Sequence, residues 1–79
     1  MDYSTHLVRD PAICGGETVF RGTRVLLRAV LADLADGATI EDVVKDFPSL
    51  TEEDVRAAIA FAAAAARDDM PLPAIAGNP

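Results

Sequence analysis

Two interruptions, at Gly37 and Pro48, divide the apolar residues between Val25 and Arg67 into three helix-periodic segments. Isolated helices of such lengths are marginal in water, so the chain has to fold as a packed trio. Leu26, Leu27, Val30, Leu31 and Leu34 share one face and predict a helix from about Val25 to Asp36, with Gly37 as the residue that closes it. Thr39 stands at an N-cap with Asp42 three positions on, and Ile40, Val43, Val44 and Phe47 repeat at helical spacing. Pro48 ends that second helix. Thr51 then caps a third, Leu50 and Val55 hold the two positions of a hydrophobic staple, and Glu52, Glu53 and Asp54 complement the positive end of its dipole. No breaker follows until about Arg67.

Ahead of the helices, Thr5 to Arg9 is short and β-prone and ends in the turn signal Asp10-Pro11. After Gly15-Gly16, which permit positive φ, a second β-prone run, Thr18 to Arg21, is closed by Gly22. The reading is a mainly α fold: a three-helix, helix-turn-helix (homeodomain-like) domain over residues 25–67, with a short β-hairpin or arm over residues 1–24. Residues 68–79, with three prolines in the last nine, are expected to be extended or disordered.

A chain of 79 residues with one cysteine, one histidine and no tryptophan has little beyond a small core to stabilise it, so a homodimer or a partner-bound form is expected. Net charge is −6, yet residues 1–31 carry four arginines against three acids. An acidic molecule is repelled by nucleic acid, so DNA binding requires that local arginine cluster. No apolar run approaches the ~20 residues of a membrane span, and the start shows no basic segment leading into an apolar core. A cytoplasmic protein without membrane partners is expected.

On the third helix, Val55, Ile59, Ala62 and Ala66 form the face expected to pack on the first two helices, while Phe61 lies roughly 120° away beside Ala57, Ala64 and Ala65. This second apolar strip is either covered by the N-terminal strands or is a surface for a partner, with Ala57, Phe61 and Ala64 as its candidate contacts and Leu72 and Ile75 of the tail beside them. Candidate DNA contacts are Arg21, Arg24 and Arg28, with Arg56 the base on the third helix. That helix otherwise offers acids and alanines, which favours protein contacts over base readout. Catalysis is not expected. Glu52-Glu53-Asp54 suits helix capping, Cys14 and His6 lack a third partner, the Gly15-Gly16 pair lacks a phosphate-loop spacing, and one histidine with one cysteine makes no metal cluster. No cofactor is expected either.

Asp10-Pro11, Gly15-Gly16 and the run Arg21-Gly22-Thr23-Arg24 match in order and spacing the signature of the bacterial family called domain of unknown function 433. Gly37, Thr39 to Asp42 and Phe47 to Val55 extend the resemblance over nearly all of residues 7–66. It departs at Glu17 and Thr18, where lysine and proline are frequent, and at Leu26, where proline is. The resemblance implies a homeodomain-like fold with a β-containing arm. It also implies an antitoxin of a type II toxin-antitoxin module, whose partner is a PIN-like ribonuclease, with operon autoregulation as a second activity. A DNA-binding regulator without a toxin and a dimeric interaction module are the alternatives. Without the family, Gly22 is expected to turn the chain from strand to helix and Thr23 to cap the first helix, which leaves Arg21 and Arg24 for function.

Overall fold

The computed structural model describes residues 2–67. A single 3-10 turn, Tyr3–Thr5, leads into strand β1 (Leu7–Arg9), a second 3-10 turn at Cys14–Gly16 and strand β2 (Thr18–Phe20). Three helices follow: α1 (Leu27–Ala35), α2 (Ile40–Asp46) and α3 (Glu52–Ala66). The fold is therefore mainly helical with a two-stranded antiparallel hairpin at its N-terminus, paired Leu7 with Phe20, Val8 with Val19 and Arg9 with Thr18.

The helix ends are built from the side chains that the sequence singles out. Gly37, at φ 103°, follows α1; its N–H donates to Leu34 and that of Ala38 to Asp33, which completes a Schellman motif. Thr39 and Asp42 form a reciprocal capping box at α2, and Thr51 and Asp54 form a second one at α3. Loss of the Thr51 hydroxyl orphans a backbone donor, so Thr51→Ala is expected to cost about 1 kcal/mol, read as a lower urea midpoint at unchanged slope.

Two boundaries differ from the sequence reading. The first helix starts at Leu27, not Val25, because Val25 accepts from the Phe20 N–H and Leu26 bridges to Val19, which holds both residues extended beside β2. Thr23 does not cap α1: its Oγ1 donates to the Phe20 carbonyl at 2.8 Å and accepts from the Val25 N–H at 3.0 Å, closing the turn before the helix. The N-cap is Leu26, with no side-chain cap. The first strand is also shorter than expected, since Tyr3–Thr5 is wound into its own turn.

One apolar cluster joins the hairpin to the helices: Leu7 and Phe20 from the strands, Leu27 and Val30 from α1, Val43 from α2, Leu50, and Val55 and Ala58 from α3. Leu50 and Val55, the staple pair, both belong to it. Ala57 is fully buried. Ile59, expected in the core, is instead 42 % exposed, and Ala66 is exposed. The buried positions Ala57, Ala58 and Val55, with half-buried Phe61 among them, span an arc of about 160° at 100° per residue. That arc is centred away from Ile59 because α3 is covered on two sides, by α1 and α2 and by the N-terminal arm.

Candidate functional site

The arm reaches α3 through two contacts. His6 Nδ1 donates to Asp54 Oδ1 at 2.8 Å, and the ring of Tyr3 stands perpendicular to that of Phe61 with centroids 5.3 Å apart. Asp54 thus serves two ends of the chain, since its other oxygen accepts from the Thr51 N–H at 2.9 Å. Partial burial alone would raise the Asp54 pKa, but the hydrogen bonds from His6 and Thr51 outweigh it and hold the carboxyl below its ordinary value. A carboxyl lowered in the folded state contributes stability above its unfolded pKa and loses it as pH falls through the folded one. Stability is therefore expected to fall below about pH 4, the unfolded aspartate range, and Asp54→Asn should flatten that fall. Urea midpoints at pH 7 and pH 3 check this.

Phe61 and Tyr3 also form one wall of an open hollow of about 340 Å³, completed by Ser4, Leu7, Val8, Arg9 and Thr18. It lies against β1, whose outer edge has no paired strand among the described residues. Neither the hollow nor the His6 contact had a sequence signal. The residues involved are far apart in sequence and are brought together from opposite ends of the domain.

The arginines divide. Arg28 donates through Nε and Nη2 to both oxygens of Glu17, at 2.9 and 3.1 Å, which lowers the Glu17 pKa and raises that of Arg28. Arg9 Nε donates to the Gly16 carbonyl at 3.2 Å, so Arg9 and Arg28 clasp the Cys14–Gly16 turn and its neighbour Glu17. Arg24 meets the same turn through its own carbonyl, 3.7 Å from Cys14 Sγ. Arg21, at the opposite end of the hairpin, donates through Nη2 to the Ser4 carbonyl at 3.0 Å. Arg56 lies 3.6 Å from Glu52 on α3. Among the described residues, Arg9, Arg21 and Arg24 have no carboxylate within ion-pair distance.

Of the remaining sequence motif, Asp10 caps a turn by accepting from the Ala12 N–H at 2.9 Å, beside an exposed Pro11. Gly15, Gly16 and Gly22 all carry positive φ, and Cys14 joins them at 50°. Those glycines, with Thr23, build turns, which leaves the arginines as the side chains that reach outward. For the partner strip, Ala57 is a correction: it is fully buried and offers nothing to a partner. Phe61 and Ala64 are half-buried. Leu72 and Ile75 lie outside the described residues. The side of α3 that faces outward carries Glu52, Arg56, Ile59, Ala63 and Ala66.

Among the described residues, no helix is long and apolar enough to cross a membrane. The sequence profile of a family described as "Protein of unknown function (DUF433)" matches residues 7–62. An uncharacterized protein, y4eO, of Sinorhizobium fredii is 43 % identical over 54 residues, which are 68 % of this chain and 24 % of that protein. The chain thus spans about a quarter of that relative's length. A crystal structure of a DUF433 member protein from Anabaena variabilis is similar with a TM-score of 0.72 at 27 % identity, covering 80 % of this chain and 62 % of the other.

Proposed function

This chain belongs to the DUF433 family, and from that premise we propose that it is a binding module of helix-turn-helix (homeodomain-like) type that neutralises a toxin by protein contact. The class of toxin, a PIN-like ribonuclease, follows from the resemblance of the motif residues. One observation carries the preference for a protein partner. The outward face of α3 presents Ile59, Ala63 and Ala66 in line, with Arg56 as its one base. A helix that reads base edges needs arginine, lysine, asparagine or glutamine there, whereas small apolar residues let another backbone come close. The domain acts by binding and carries out no reaction.

Co-expression with the neighbouring open reading frame tests the reading. A nuclease-like neighbour should co-purify, and Ile59→Arg should reduce recovery of the complex at least tenfold, the effect of about 1.4 kcal/mol lost from an interface. Because Ile59 is largely solvent-exposed, far-UV circular dichroism of that variant should match the parent. Absence of any co-purifying neighbour would count against the proposal.

A second reading, a DNA-binding regulator acting alone or alongside the toxin partner, rests on Arg9, Arg21 and Arg24, which are exposed and without carboxylate partners among the described residues. It requires that a promoter fragment be shifted at low salt and that Arg24→Ala weaken binding and flatten its salt dependence.

A further inference from the structure

We propose that two copies of this chain pair antiparallel through the outer edges of β1, across a two-fold axis at Val8, and so build a four-stranded sheet. The inference assigns a surface and a register to contact between copies, and does not depend on the antitoxin reading.

The register of β1 decides which groups the edge offers. The Arg21 N–H donates to the His6 carbonyl at 2.8 Å, which makes His6 and Arg21 a hydrogen-bonded pair. Val8 and Val19 are the next such pair, two residues on. Leu7 and Arg9 therefore direct their N–H and C=O groups outward, where no described residue bonds to them. A bare edge on a two-stranded sheet is a template for another strand.

The two ends of β1 restrict which strand fits. Before Leu7 the chain is wound into the turn Tyr3–Thr5, and Pro11, the next outward position after Arg9, has no N–H. The usable edge is Leu7 and Arg9 alone. A second copy presents the same short edge, and an isologous contact sets one against the other. Centred on Val8, it opposes Leu7 to Arg9 of the second copy and Arg9 to Leu7 of the second copy. Every outward group is then satisfied, through four backbone hydrogen bonds. A slip of two residues loses bonds in either direction, because it opposes Arg9 to Thr5 in its turn or Leu7 to Pro11.

The side chains suit this register. Leu7 and Arg9 lie on one face of the strand, beside the hollow that they form with Tyr3 and Phe61. Directly opposed residues share a face, so the aliphatic stem of Arg9 from the second copy covers Leu7 at the mouth of the hollow. Arg9 Nε is tied to the Gly16 carbonyl at 3.2 Å, on the β2 side of the strand. The two guanidinium groups therefore lean away from the axis, and their like charges do not meet.

Sedimentation equilibrium and NMR of the full-length chain test this. A monomer–dimer equilibrium is expected between about 1 μM and about 1 mM, the range for a small interface. Arg9→Pro removes one outward N–H from each copy and leaves the bonds between β1 and β2 in place. It should weaken the dimer about tenfold or more, the effect of two net hydrogen bonds, whereas Arg9→Gln, which keeps the N–H, should dimerise like the parent. In the parent, exchange of the Leu7 and Arg9 amides should slow as concentration rises, while that of Val43 and Val55 stays constant. In a mixture of differently labelled chains, a filtered NOE should join Val8 Hα of one copy to Val8 Hα of the other, the close pair of this register. The proposal is overturned by a parent chain that stays monomeric over that range, by a dimer that lacks the Val8 contact, or by a folded Arg9→Pro variant that dimerises undiminished. Protection of Leu7 and Arg9 that does not depend on concentration overturns it as well, since the edge is then covered within one copy.

Discussion

Phe20→Ala is expected to cost about 3–5 kcal/mol, the usual loss for truncating a buried phenylalanine. At roughly 0.05–0.15 kcal/mol per residue, a chain of this length has about 4–12 kcal/mol in total, so the variant loses a quarter of its stability or more. The cost is high because of where the ring lies. Phe20 is 1 % exposed and, with its cross-strand partner Leu7, is the hairpin's share of the central cluster. A two-stranded sheet has little stability of its own, so removal of that ring detaches the arm as well as leaving a cavity among Leu27, Val30 and Val55. Urea unfolding followed by far-UV circular dichroism should show the midpoint falling by about a quarter or more, and Phe20→Leu should keep most of it. A loss below 1 kcal/mol for Phe20→Ala would mean that the hairpin is not packed on the helices.

What could be read from the sequence follows from the range over which each signal acts. Gly37, Thr39 with Asp42, Pro48 and Thr51 act on the backbone within a few residues, and each marks a helix end in the structure at the position its chemistry requires. The staple pair Leu50 and Val55 is equally local. Val25 and Leu26 depart from the helical pattern because the competing partner is β2, and helical periodicity continues unbroken through residues that the sheet holds extended. The arginines were legible as a cluster along the chain, but not as two groups at opposite ends of the hairpin. The link between His6 and Asp54 spans 48 residues and uses a histidine and a helix-capping acid, both of which have sufficient local explanations. Alanine hides the orientation of α3. A wheel drawn through Val55 and Ile59 is as good a pattern as one drawn through Val55 and Ala58, and only the position of the arm decides between them.

That ambiguity is resolved by a pair of substitutions at alanines of opposite orientation. Ala57→Asp places a carboxylate in an interior position with no hydrogen-bond donor provided for it. Added volume in a packed site costs about 1–3 kcal/mol, and an unpaired buried charge adds several more, which together consume most of the stability of a domain this small. No cooperative unfolding transition is expected. Ala63→Asp, on the outward face, should lose only the difference in helix propensity, about 0.5–0.7 kcal/mol, and keep the parent spectrum. The contrast bears on function as well as on folding. If Ala57→Asp folded like the parent, the arm could not be packed over α3, and the strip of Ala57, Phe61 and Ala64 would be open to a partner. Loss of folding in Ala57→Asp alone assigns Ala57 to the interior and leaves Ile59, Ala63 and Ala66 as the outward apolar surface of α3 from which binding has to be explained.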